Sequence, residues 1–396
     1  MRVTTGLSFD RSVRYMQESN SRLETLNRQY NTGAKFAVAS ENPIGMGTKL
    51  RLDSEIASYQ QYSVNAGLAS DQLSLEETAL SSIYESMLHA VTSMQAGVNG
   101  TYDQANFNTV AQDLEEVRDM LFDLMNTKTA GGEYIFSGNQ SLIPAFSKTS
   151  DGEFICNADG GQRQVKVSPS VTMTTSDSAL SVFEKAQLCR TATAGTSGVS
   201  VAYDNSDVFN SFVNGYYDVY QNNDLNIAVT GNTYTVTGRG GTVLQNGTVS
   251  DKGVINFRGM EITMDSGVNS AVISLDPPAN DNVLNTLSSI IDVLRDDSVS
   301  AYDKGQMLRM GQVSLNSAKE NVNLTLGRVG SRLSNIDAVI SSNNALSDIK
   351  TEVRANECEV DVYEVVSELL QEQNALNVAR QTFSSIHGST LFDYIH

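Results

Sequence analysis

Tryptophan is absent from this 396-residue chain, and proline occurs only five times. So little proline forces few breaks on the backbone and suits long helices. Cysteine is scarce as well. Cys156, Cys189 and Cys358 lie far apart and make no CxxC pair, which excludes a disulfide framework and a thiolate metal site. They read as three inert or buried thiols. Basic residues are in deficit, 27 against 46 acidic, for a net charge of −19. This balance argues against nucleic acid, whose phosphates need a basic face, and against an anionic membrane surface. No apolar run reaches the roughly 18 residues that would suggest a membrane-spanning helix, so no membrane insertion is expected. Met1-Arg2-Val3-Thr4-Thr5-Gly6 lacks the apolar core of a secretory signal. The residues alone therefore predict a cytoplasmic chain, unless a route that needs no cleaved signal exports it.

Chemistry is also thin. The histidines are His89, His387 and His396, with no cysteine or paired carboxylate at metal-ligand spacing. Arg239-Gly240-Gly241 has no strand-to-helix switch around it and reads as a hairpin rather than a phosphate cradle. Glu357-Cys358-Glu359-Val360-Asp361 reads as a solvated helix face. No serine, histidine and aspartate cluster carries a nucleophile signature. The expectation is no enzyme, no cofactor and no metal.

What the chain does have is apolar residues at steps of seven. Phe9, Met16, Leu23 and Tyr30 form one such set, and Val362, Leu369, Leu376 and Phe383 form another. Seven residues are two turns of a slightly underwound helix, so each set lines one seam. Single helices of this kind stay marginal in water, so both ends are expected to be loose until they meet each other or a partner.

The same step recurs inside. Leu52, Tyr59, Ala66, Leu73, Leu80, Met87 and Met94 hold it through about residues 45–97, a helix on the order of 80 Å long. Ser40-Glu41-Asn42-Pro43 before it reads as a turn. After a break at Gly97-Val98-Asn99-Gly100, Val110, Leu114, Val117, Leu121 and Leu124 mark a second helix, with a glycine C-cap expected at Thr129-Ala130-Gly131-Gly132. Helical spacing returns at Val283, Leu287, Ile290 and Leu294. Leu308, Leu315, Val322, Val329 and Ile336 then form a further seam, which Ser341-Ser342-Asn343-Asn344 loosens.

Between the helices the period changes to two, as in Val165-Lys166-Val167, Tyr234-Thr235-Val236 and Glu261-Ile262-Thr263-Met264. Turn pairs such as Gly231-Asn232 and Asn246-Gly247 separate the runs. The predicted fold is multidomain α plus β: a long antiparallel helical bundle, or coiled-coil rod, built from both termini with an inserted β-rich domain. The expected parts are an N-terminal assembly helix (1–42), the N-terminal rod segment (43–140), the β-rich outer domain (141–276), the C-terminal rod segment (277–345) and a C-terminal assembly helix (346–396).

Four stretches within this layout resemble one family. They are Asn31-Thr32-Gly33-Ala34-Lys35 with Ser40-Glu41-Asn42-Pro43-Ile44-Gly45; Leu114-Glu115-Glu116-Val117-Arg118-Asp119-Met120-Leu121 leading to Gly132-Glu133-Tyr134-Ile135-Phe136-Ser137-Gly138; Leu326-Gly327-Arg328-Val329-Gly330-Ser331-Arg332-Leu333; and Ser389-Thr390-Leu391-Phe392-Asp393-Tyr394-Ile395. In this order they resemble bacterial flagellar axial proteins of the flagellin superfamily, in particular its hook–filament junction branch. The resemblance covers roughly residues 1–140 and 280–396. Glu41-Asn42 departs from the two aspartates frequent in that family.

The resemblance implies a structural adapter joining hook to filament in the extracellular flagellum. Such a protein assembles as a ring through its terminal helices after type III export without a cleaved signal peptide. The implied partners are the first hook-associated protein, flagellin, further copies of the chain itself, a cytoplasmic export chaperone and the flagellar type III export apparatus. The residues expected at subunit interfaces are Phe9, Met16, Leu23, Tyr30, Val362, Leu369, Leu376, Phe383, Ile386, Leu391 and Phe392. The alternative is a flagellin-type filament subunit, against which the Phe136-Ser137-Gly138 stretch and the Leu391-Phe392-Asp393-Tyr394 ending weigh.

Overall fold

A computed structural model describes residues 2–98, 102–250 and 253–388. Helix α1 (Arg2–Thr32) is followed by α2 (Pro43–Gly97) and α3 (Gln104–Met125). The insert begins with hairpins β1 (Phe146–Lys148) with β2 (Phe154–Cys156) and β3 (Gln164–Lys166) with β4 (Thr172–Thr174). It continues through short helix α4 (Ala179–Val182), strands β5 (Ala192–Ala194) and β6 (Val199–Tyr203), and helix α5 (Ser206–Tyr216). Strands β7 (Asp224–Thr230), β8 (Thr233–Thr237), β9 (Val243–Thr248), β10 (Val254–Phe257), β11 (Met260–Met264) and β12 (Ser270–Leu275) complete it. Helices α6 (Val283–Arg295), α7 (Ala301–Cys358) and α8 (Val362–Gly388) follow. The fold is thus a bundle of long helices drawn from both ends of the chain, carrying a β-rich insert. It divides into two compact units, Met1–Asn65 with Ala338–His396, and Ala66–Asp337.

In the unit Ala66–Asp337 the seven-step seams form a core. Ala66, Leu73, Leu80, Met87 and Met94 of α2 are buried, and so are Leu308, Leu315, Val322, Val329 and Ile336 of α7. The positions three residues further on are buried too, among them Ala69, Ile83 and Ala90 of α2 and Ala318 and Thr325 of α7. Both halves of each heptad therefore contribute, as a closed coiled-coil seam requires. Small residues let these helices approach closely. A Cβ on Gly97 would stand 2.7 Å from Leu308, and one on Gly311 would run into Ile290. Helix α3 starts where Asp103 accepts the Asn106 N–H at 2.9 Å, and α6 starts where Asn282 accepts the Asn285 N–H at 2.9 Å. The two helices pack together through Val110, Leu114 and Leu121 and through Leu287, Ile290 and Leu294.

The insert carries a five-stranded sheet in the order β5-β12-β7-β8-β9 and a three-stranded sheet β10-β11-β6, besides its two hairpins. All pairings are antiparallel. Alternate residues point inward, so Leu225, Ile227, Val236, Ile255, Phe257, Ile262 and Ile273 meet in one core, closed by Phe209 and Val213 of α5.

Several sequence expectations need correction. Helix α3 ends at Met125, where Asn126 caps it, so Gly131 and Gly132 belong to a later turn in which Gly132 adopts φ +83°. Helix α7 runs unbroken through Ser341–Asn344, because Asn343 continues the seven-step after Ile336 and is itself buried. The boundary expected at 345/346 therefore falls inside α7. Glu357–Asp361 is not one helix face: α7 stops at Cys358 and α8 starts at Val362. The insert includes α4 and α5 besides its strands. The break at Gly97–Gly100 is described only up to Val98.

Candidate assembly surface

The expected interface residues from Phe9 to Ile386 lie on α1 and α8, both in the unit Met1–Asn65 with Ala338–His396. The two helices run antiparallel and pack side by side. Phe9, near the start of α1, meets Phe383, near the end of α8, with ring centroids 5.2 Å apart. Further along, Met16 and Leu376 line one groove.

This seam is underbuilt. Three residues after each apolar position, α1 places Ser12, Ser19 and Leu26, and α8 places Val365, Glu372 and Ala379. A two-helix seam needs apolar residues at both heptad positions, and serine and glutamate occupy much of the second. The burial follows. Leu23 and Leu376 are 9% and 5% exposed, but Phe9 is 43% and Tyr30 51% exposed. Val362 is exposed, and Met16, Leu369 and Phe383 are half-buried. Val365 is buried although the seven-step omits it; its position three residues after Val362 is the signal that finds it. Ile386 lies in α8 with its side chain outside the described residues, as are Leu391 and Phe392. Leu7, Tyr15, Leu370 and Val378 add further exposed apolar surface to the pair. Open grooves of about 560, 420 and 250 Å³ flank it, with Arg22, Glu368 and Glu372 on the rim of the largest.

The links into this pair are tightly built. Gly33 turns the chain out of α1 at φ +67°. Ala34 and Glu359 then form an antiparallel bridge, with Lys35 N–H donating to the Cys358 carbonyl at 2.8 Å and Val360 N–H to the Gly33 carbonyl at 3.0 Å. Lys35 Nζ donates to the Asn356 carbonyl at 2.5 Å. Asp361 caps α8 by accepting the Tyr363 N–H at 2.9 Å. On the other link, Glu41 accepts the Ala37 N–H at 2.9 Å and pairs with Arg28 at 2.7 Å. Asn42 caps α2 by accepting the Gly45 N–H at 2.9 Å, with Pro43 at the first helical position. Phe36 is buried against Gly45, where a Cβ would stand 2.7 Å from its ring.

Ion pairs join α2 to α7 within this unit: Lys350 to Glu55 at 2.5 Å and Arg354 to Asp53 at 3.2 Å. Burial opposes the charge on Asp53, but hydrogen bonds from Lys49 and Arg354 prevail and hold its carboxyl below the usual range. The hydrogen bond from Lys350 does the same for Glu55.

All three cysteines are free, and burial pushes the Cys189 thiol up to about 12. His89 is exposed beside Asp113 at 3.9 Å. Arg239 lies over the Tyr216 ring and donates to the Tyr216 carbonyl, in a short turn joining β8 to β9. Among the described residues no cluster of histidine, cysteine, aspartate or glutamate is arranged to hold a metal, and no helix is long and apolar enough to cross a membrane.

The family model of the bacterial flagellin N-terminal helical region matches residues 4–141. The flagellar hook-associated protein 3 of Salmonella typhimurium is 24% identical over 392 residues, 99% of both chains. Its N-terminal third is similar to the flagellin helical region, and nearly its whole length to a hook-associated protein 3. The hook-associated protein 3 of Escherichia coli is 27% identical over 173 residues, an alignment that spans 44% of this chain and about half, 54%, of that one. Two crystal structures share this fold at 20% identity. Hook-associated protein 3 of Legionella pneumophila has a TM-score of 0.60, covering 76% of this chain and 96% of its own. FlgL of Xanthomonas campestris has a TM-score of 0.58, with 77% and 98% covered. The Phe136-Ser137-Gly138 stretch has a clear physical role. Phe136 is buried against Phe183, with centroids 5.3 Å apart, and Ser137 Oγ donates to the Ile143 carbonyl at 2.6 Å. Gly138 adopts φ +69°, where a Cβ would collide with Asp159.

Proposed function

We propose that this chain is a structural adapter of the bacterial flagellum that joins hook to filament. The observation that carries the reading is an alignment with a hook-associated protein 3 that spans 99% of both chains. The half-exposed seam of α1 and α8 supports it, because those helices keep apolar surface that neighbouring subunits can cover. The adapter assembles as a ring whose contacts along the axis are heterologous, since one face meets the first hook-associated protein and the other meets flagellin. Phe9, Met16, Leu23, Tyr30, Val362, Leu369, Leu376 and Phe383 lie in those contacts, together with Ile386, Leu391 and Phe392. The subunit reaches the growing tip through the type III export apparatus, held beforehand by a cytoplasmic chaperone. The role is structural rather than catalytic.

Deleting the gene, examining cells by electron microscopy and blotting the medium for flagellin tests this. Bare hooks with secreted, unassembled flagellin are expected. Normal filaments on the deletion strain would overturn the junction role.

A further inference from the structure

Glu76 stands out within the unit Ala66–Asp337. It sits on α2 three residues after Leu73, in line with Ala69, Ile83 and Ala90, at a position that the rest of the seam fills with apolar side chains. It is 1% exposed. Against it lies the segment Thr175–Ser178 between β4 and α4, whose four polar residues are all buried. Asp177 N–H donates to Glu76 Oε1 at 2.9 Å, whereas Glu76 Oε2 is buried with no hydrogen-bond partner among the described residues.

The local charges are already matched without Glu76. Arg332 of α7 grips both carboxylate oxygens of Asp177, at 2.6 and 3.2 Å, and the Gln162 amide donates to Asp177 Oδ1 at 3.0 Å. Arg163 faces the site from the insert but is paired with Glu133 at 2.5 Å. The neighbouring Glu77 of α2 lies toward Gly330. An ionised Glu76 would add a second buried anion beside Asp177 with no cation of its own, an arrangement of high cost.

We propose that Glu76 is a protonated carboxylic acid in the folded protein and a proton-dependent pin that holds the Thr175–Ser178 segment of the insert against α2. Burial, and then the Asp177 charge, push its carboxyl from 4.5 up to about 8, outweighing the Asp177 N–H and Arg332. The sign follows: the folded state holds a proton that the unfolded state releases above 4.5, so the pin's contribution is complete below 4.5 and is lost as pH rises through about 8. Alkaline medium then frees the segment.

The test compares the full chain with Glu76→Gln, which keeps the shape and the Oε1 acceptor. Thermal midpoints from about pH 4 to about pH 9 should coincide in acid and diverge toward alkali, with the variant the more stable. Amide exchange at residues 177–179, corrected for intrinsic base catalysis, should accelerate in the wild type about tenfold per pH unit once Glu76 must ionise, and stay level in the variant. Parallel midpoint curves, or identical exchange profiles, would overturn the proposal. Should Glu76→Gln not fold, infrared spectra of a Glu184→Gln protein decide, since burial also raises that carboxyl. A protonated carboxyl band at neutral pH that disappears on raising the pH is expected, and its absence at neutral pH would sink the idea.

Discussion

The seam through Ala66–Met94 and Leu308–Ile336 and the seam of α1 with α8 share one repeat but not one fate. In the first, small or apolar residues fill most of the second heptad position and the large side chains are fully covered. In the second, that position carries Ser12, Ser19 and Glu372, and Phe9 and Tyr30 keep about half of their surface. A step of seven therefore says that a helix has one apolar line; the residues three further on decide whether a single partner helix can close it. One seam holds a monomer together. The other leaves apolar surface exposed.

Four outcomes would break or sharpen this contrast. Leu80→Ala hollows the closed seam and should cost about 2–5 kcal/mol, read as a lower midpoint in urea. A value near zero would mean that the inner seam is not a true core. Asn42→Ala removes the cap at the head of α2 and should cost about 1 kcal/mol, measurable by the same titration. Phe9→Ala in the open seam should change monomer stability by about 1 kcal/mol or less, while swimming is lost in complementation of the deletion strain. Full motility with that variant would remove Phe9 from the assembly surface. Limited proteolysis should cut α1 and α8 in the soluble subunit before any site in the inner helices, and equal protection would contradict the difference in burial.

The inner helices were legible because residues at a step of seven mark both ends of a buried line, and the strands because period two and glycine turns announce them. The junction at Cys358–Val362 was not. A run of acids around a cysteine looks like a wet helix face, and nothing local reveals that Lys35 and Gly33 meet it from far away in sequence. Asn343 misled in the opposite direction, since a paired asparagine suggests a loop until its place in the heptad is counted. Within the candidate surface, the large apolar positions could be read directly. Val365 could not, because a search at steps of seven skips the other half of the repeat.

The bridge between Gly33–Lys35 and Cys358–Val360 carries one more consequence. It ties the exit of α1 to the entrance of α8 by two backbone hydrogen bonds, which only a proline at Lys35 or Val360 would remove directly. A two-point clasp of this kind suppresses independent swivelling of either strut. Bending at this level moves the paired struts together, so a load applied to one is shared by the other. In a joint between a flexible part and a stiff one, that clasp would pass torque through both links at once.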